Sequence, residues 1–186
     1  YRHTHHIREQ GVVCTTWVGH EGRTGVWFDA AGKKHIKPGY SIHNNWLDIL
    51  PCGHLDTYAT VFYYAALIRM MQLEKAIAVQ PGWNIPEAFD AENPDVLDAE
   101  AAFIKQNANR ILWNEETGRF CVSIDIDGCI HDVGCTLINL EAVSAGLADK
   151  EHARSIMDWI TGRRIVAGDT SVGEDIYAFY FAPRIT

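Results

Sequence analysis

No apolar run in these 186 residues reaches the length a helix needs to cross a bilayer, and no signal peptide is visible. The expected compartment is therefore cytoplasmic or periplasmic. Positive charge is also short. A formal net charge of -8 argues against an electrostatic grip on nucleic acid or on an anionic membrane. An uncharged substrate such as a sugar stays open. The five cysteines (Cys14, Cys52, Cys121, Cys129, Cys135) include no Cys-x-x-Cys pair and are odd in number. Buried free thiols are expected rather than a disulfide framework or a zinc ribbon. Gly22-Arg-Thr-Gly and Gly168-Asp-Thr-Ser-Val-Gly are neither phosphate-loop nor dinucleotide motifs, and there is no Gly-x-Ser-x-Gly elbow. His3, His5 and His6 lack the carboxylate or cysteine that would complete a ligand set, so neither a metal nor a cofactor is expected. An initiating Met is missing too, and the first six residues run straight into strand-like sequence. The expectation is a piece of something longer.

What is present suffices for a sizeable core: 47% of the residues are hydrophobic and 22% charged. Residues 1–40 form a β-rich lead-in, with β-branched and aromatic runs at 11–18 and 25–30 separated by glycine-rich turns. Residues 41–186 read as helical hairpins with an inserted β-hairpin, in one domain with the lead-in.

Residues 44–76 organise the chain. A polar and aromatic loop carries Asp48 and Asp56 on either side of Pro51-Cys52-Gly53, and a helix follows from about Thr57. Between Tyr58 and Met71 only Thr60 and Arg69 are clearly polar, and a helix apolar all round is expected to be buried all round. A proline-rich excursion over 80–94 follows. An amphipathic helix is expected over about 96–112, capped by Asp95 or Asp98, with Phe103, Ala108, Ile111 and Leu112 on its apolar face. A strand over 119–125 leads to the hairpin signal Asp127-Gly128 and a strand at 129–131. A second apolar helix spans about 135–147, with Asn139 and Glu141 as polar intruders; Glu141 is expected to pair with Arg163 or Arg164. Asp149 caps a second amphipathic helix that puts Ala153, Ile156, Met157 and Ile160 on one face and ends at Gly162. Extended pieces are expected at 163–167 and 176–182.

Buried and amphipathic helices thus alternate. In a four-helix bundle every helix would be amphipathic, whereas two concentric layers give an inner helix neighbours on every side. The fold class expected is mainly α, part of an (α/α)6 toroid with short β-hairpin insertions. Two helix pairs are only part of such a ring. The partner expected is the missing half of the barrel or a second copy of the chain in a homo-oligomer.

Three stretches carry a family resemblance: 44–60 with Asn-Asn-Trp-Leu-Asp and Gly-His-Leu-Asp-Thr-Tyr, 113–120 with Trp-Asn-Glu-Glu-Thr-Gly-Arg-Phe, and 125–134 with Asp-Gly-Cys-Ile-His-Asp-Val-Gly. Together they resemble the bacterial six-hairpin glycosidases, the (α/α)6-barrel glycoside hydrolases related to α-rhamnosidases, trehalases and glycogen-debranching enzymes. The resemblance covers roughly residues 40–182. It implies a hydrolase of carbohydrate metabolism acting on an oligo- or polysaccharide, on a ring about twice this length.

Glycoside hydrolysis needs two carboxyl groups flanking the scissile bond, one to protonate the leaving oxygen and one to activate water or attack. Asp56, at the mouth of the first buried helix, is the first choice for the acid; an Asp before Thr-Tyr-Ala-Thr is equally an N-cap. Asp48, beside Trp46, suits a sugar hydroxyl or a buried hydrogen bond. Asp132 precedes the second buried helix as Asp56 precedes the first, again as a catalytic group or an N-cap. Asn45, Trp46, His54, Tyr58, Trp113 and His131 are the candidate sugar contacts. Asp169, Glu174 and Asp175 lie in a loop that could line the same mouth. Two other classes fit the toroid. A lyase or epimerase would abstract a proton with Tyr58 and His54 or His131, but would want an arginine-rich cleft. A non-catalytic carbohydrate-binding piece would be sticky alone.

Overall fold

The structure is a computed structural model. It describes residues 6–7, 10–15, 26–36, 54–86, 91–124 and 128–169. Short antiparallel strands lead in: β1 (His6–Ile7), β2 (Val12–Thr15), β3 (Val26–Phe28) and β4 (Lys34–Ile36). Then come β5 (His54–Asp56), α1 (Thr57–Ala78), a 3-10 turn at Pro81–Trp83, and α2 (Pro94–Ile111). Four more short strands follow: β6 (Trp113–Asn114), β7 (Arg119–Phe120), β8 (Ser123–Ile124) and β9 (Ile130–His131). The helices α3 (Thr136–Ser144) and α4 (Lys150–Ile160) close the described chain. Helix predominates among the described residues, consistent with the mainly α reading. None of the described helices is long and apolar enough to cross a membrane.

Local chemistry sets most boundaries. Asp56 caps α1 through Ala59 N. Asn93, rather than Asp95 or Asp98, caps α2, because Pro94 takes the first helical position, where a missing N–H does no harm. Asp149 caps α4 by accepting from Glu151 N and His152 N. At the other end Gly162, with φ +76, returns its N–H to Trp159 O and stops the helix.

The strand expected over 119–125 splits in two. β7 pairs with β6, then Cys121 and Val122 carry the chain across so that β8 lies between β5 and β9. The sheet order is β1-β2-β5-β8-β9. Ile124 pairs with Ile130 across the expected hairpin turn. The extended piece expected at 163–167 is instead a turn. There Arg164 donates to Thr117 O, Gly118 O and Ser155 O, and Arg163 sits by Asp158. Neither forms the expected pair with Glu141, which is only half-buried. Residues 176–182 lie outside the described residues.

The core lies between α1, α2 and the sheet, with α3 and α4 closing one end. α2 contributes Leu97, Ala101, Ile104 and Ala108, one helical face, while Phe103 faces out. Ile104, Leu112 and Ile156 are wholly buried, each stabilising by about 1.5–3 kcal/mol. In α4 the deepest residues are Ile156 and Trp159, with Ala153, Met157 and Ile160 beside them. The expectation that α1 is buried on every side is not met. Tyr63, Tyr64 and Leu67 face the core, but Phe62 and Leu73 are 46% and 47% exposed. On α3, Leu137 and Leu140 also stand out. Among the described residues, neighbours cover these helices on one side.

Candidate functional site

The site is built where β5 runs into α1. β2 lines one side of β5, pairing Cys14 with Leu55 and Thr15 with His54. β8 lines the other, and there the ladder slips: His54 and Leu55 both face Ile124, and Asp56 faces Ser123. This is a β-bulge. His54 itself has φ +46, a left-handed conformation that costs a non-glycine residue about 1–2 kcal/mol. Its Nδ1 lies 3.5 Å from Cys14 Sγ. β9 extends the row, placing His131 opposite Ser123. Residues directly opposed across antiparallel strands share a face. Asp56, Ser123 and His131 therefore form one row across three strands.

Asp56 is held at two points, and the residue after it at a third. Its Oδ1 accepts from Ala59 N at 2.9 Å. Its carbonyl accepts from Thr60 Oγ1 at 2.7 Å, and that hydroxyl in turn accepts from Val13 N at 3.0 Å. The next amide, Thr57 N, donates to Val122 O. The carboxyl is 1% exposed, and its Oδ2 has no hydrogen-bond partner among the described residues. Burial pushes its pKa up to about 6, against the pull of the Ala59 and Tyr58 amides. Close by, the Cys121 thiol is pushed up to about 12, mainly by burial, with the charges of Asp132 and Asp56 adding to it and the Thr57 hydroxyl opposing. The Thr57 hydroxyl is itself buried against that thiol, a weak partner.

Asp132 does different work. Its oxygens accept from Arg119 Nε at 2.7 Å, Asn114 Nδ2 at 3.0 Å, Gly134 N at 3.2 Å and the Thr117 hydroxyl. Arg119 Nη1 also donates to both Asp169 oxygens, at 2.9 and 3.0 Å, and the guanidinium lies 4.6 Å over the Trp159 ring. Trp159 Nε1 donates to Asp169 at 2.8 Å. Asp132 is thus a buried ion-pair partner. It does not cap α3, whose N-cap is Cys135.

The candidate contacts separate. His54 and His131 lie on the sheet beside Asp56. Tyr58 rings Phe62 at 4.6 Å and packs against Val122, Cys135 and Ile138. Trp113 stacks on His152 of α4 at 3.6 Å, with Phe120 at its edge. Asn45, Trp46 and Asp48 lie outside the described residues, as do His3, His5, Glu174 and Asp175. Among the described residues no group of three or more His, Cys, Asp or Glu is placed to hold a metal ion. Nothing in the sequence marks Ser123, Thr60, Cys14 or Arg119 as a residue of this site. Their roles depend on strand register and on contacts between residues far apart in the chain, which no local motif announces.

No family model and no curated protein matches this sequence. Among solved structures, the chain is similar to the GH78 family rhamnosidase of Bacillus sp. GL1, with a TM-score of 0.55 and 19% identity. The match covers 87% of this chain and 13% of that one. At this identity the likeness shows the fold alone, and this chain spans only a small part of that protein's length.

Proposed function

We propose that this chain is part of an (α/α)-toroid glycoside hydrolase and that Asp56 is its general acid. The observation that carries the reading is the Asp56 carboxyl itself. A glycosidase acid must hold its proton near neutral pH while a second carboxylate stays ionised. Burial raises Asp56 to about 6 and leaves one oxygen unengaged. That oxygen, Oδ2, would deliver the proton to the leaving glycosidic oxygen. The negative charge then left on Asp56 sits at the N-terminus of α1, where the helix dipole and the Ala59 amide favour it.

The structural neighbour is a rhamnosidase, which supports a carbohydrate as substrate. The half-exposed apolar residues of α1 and α3 support the ring, whose further inner helices would cover them. Tyr58 and His131 are the proposed sugar contacts from the described residues, with Asn45 and Trp46 from the loop before them. Trp113 is left out, because His152 covers its face. Asp132 already serves four donors, so it holds the connection from β9 to α3, and Asp48 is the supporting carboxylate. The counterpart base belongs to helices beyond this chain. The proposal requires the end of α1 to open to substrate, since Asp56 is 1% exposed.

That burial, with the capping bond to Ala59, favours a second reading. In it Asp56 only caps α1, and the chain is a non-catalytic carbohydrate-binding piece.

The deciding experiment is hydrolysis of a panel of aryl glycosides and oligosaccharides by this chain and by a longer protein that carries it. Each is compared with its Asp56→Asn variant. The acid reading expects kcat to fall by about 10²–10⁴-fold in the variant while sugar still binds. An unchanged rate removes Asp56 from the chemistry. Sugar binding without hydrolysis in every form supports the second reading.

A further inference from the structure

The direction of Asp56 is set by an irregularity in the sheet. From the pair His54 with Ile124, a regular antiparallel ladder would next place Leu55 opposite Ser123 and turn Asp56 to the other face. The one extra residue at the bulge moves every later position by one, so Asp56 takes the place opposite Ser123. The bulge depends on His54 keeping its left-handed backbone, which a histidine adopts only when its surroundings hold it. The Cys14 contact is such a hold, and it is diagonal. His54 pairs with Thr15 while Cys14 pairs with Leu55, so in a flat ladder the two side chains would leave opposite faces. The turn at His54 brings its ring round to Cys14 Sγ. Thr60, bridging Val13 to the Asp56 carbonyl, ties the same two strands one step further on.

We propose that His54 and Cys14 are positioning residues for Asp56: their contact locks the bulge that brings the Asp56 carboxyl into the row with Ser123 and His131. The importance of that row rests on the reading of Asp56 as the acid, but the positioning itself can be tested separately.

The test follows the Asp56 carboxyl carbon by NMR through a pH titration of the full chain labelled at aspartate, with Asp56→Asn to assign the signal. His54→Asn keeps a residue that tolerates the left-handed backbone and an amide near the Nδ1 position. Its midpoint should stay within about half a unit of the unsubstituted chain. His54→Val tolerates neither, and Cys14→Ala removes the contact. Both should lower the midpoint by about one unit or more as the carboxyl swings toward water. Where a longer protein hydrolyses substrate, the basic limb of its kcat/KM profile should move by the same amount, with the loss in kcat rather than KM. An unchanged midpoint in His54→Val and Cys14→Ala overturns the proposal. If His54→Val does not fold, His54→Gly keeps the backbone and removes the ring. Unchanged midpoints in His54→Gly and Cys14→Ala then overturn it. Retained hydrolysis by Asp56→Asn defeats the acid reading instead and leaves the titration to decide the positioning.

Discussion

Asp56 of β5 stands directly opposite Ser123 of β8, one residue past the register that His54 begins. There its carboxyl is buried, and a buried carboxyl prefers its proton. The folded-state pKa is raised from 3.8 to about 6, so the folded chain binds this proton more tightly than the unfolded chain. The stabilisation is fully present below about pH 4 and is lost as pH rises through about 6. Between those limits the group accounts for about 3 kcal/mol. Asp56→Asn keeps an oxygen for Ala59 N and cannot ionise. Urea unfolding at pH 5 and pH 8 should show the unsubstituted chain losing stability relative to Asp56→Asn at the higher pH. Parallel pH dependences would mean that Asp56 is not buried as described.

The Arg119 cluster gives a second prediction. Arg119 is buried and divides its guanidinium between Asp132 and Asp169, both nearly as buried. Removing one member of such a set leaves a buried charge without its counterpart, at about 3–5 kcal/mol. Arg119→Met should lose that much in urea unfolding. Arg119→Lys should recover little of it, because a single ammonium cannot make the fork. Asp132→Asn keeps its acceptor for Arg119 Nε but loses the charge, and should fall between. A loss below about 1 kcal/mol in Arg119→Met would place the cluster in water.

The boundary between what the sequence told and what it hid runs between local and long-range physics. The start of α1 at Thr57, the Asp149 cap, the Gly162 stop and the hairpin that pairs Ile124 with Ile130 were all legible, because each depends on a few adjacent residues. The choice of Asn93 over Asp95 was not, since three side chains in that segment can cap and only Pro94 decides among them. Asp132 invited the same reading as Asp56 because both precede an apolar helix. The Arg119 that claims it lies in another hairpin. The bulge at His54 had no signal at all, because the slip exists only relative to β8. For Asp48, Trp46 and Asn45 the sequence reading stands as an expectation.

Asn139 shows how a polar intruder in an apolar helix can be structural. Wholly buried on α3, it accepts from Phe120 N at 2.9 Å and donates to Phe120 O at 3.1 Å and Cys135 O at 3.0 Å. It thus completes the backbone of β7 as a neighbouring strand would. Asn139→Leu keeps the volume and strands both Phe120 groups, each at about 1–3 kcal/mol. Chemical denaturation should show a loss of about 2–4 kcal/mol, and hydrogen exchange at Phe120 N should quicken. Unchanged protection at Phe120 would show that another group serves it.

The exposed apolar residues lead to the last prediction. Phe62, Met70 and Leu73 recur along α1 at helical spacing, and Leu137 and Leu140 add to them on α3. Single exposed apolar residues are ordinary, but a run of them along one helix marks a surface that something should cover. If α1 and α3 are inner helices of a ring, water is the wrong neighbour for this face. The chain by itself should then self-associate as its concentration rises in sedimentation experiments. Phe62→Ser with Leu73→Gln should shift the distribution toward monomer. Both positions are near half exposure, so folding stability should change by no more than about 0.5 kcal/mol each. That small loss separates this outcome from unfolding, which would increase aggregation. A chain that stays monomeric at high concentration with Phe62 and Leu73 intact would count against further helices on that face, and with them against the ring.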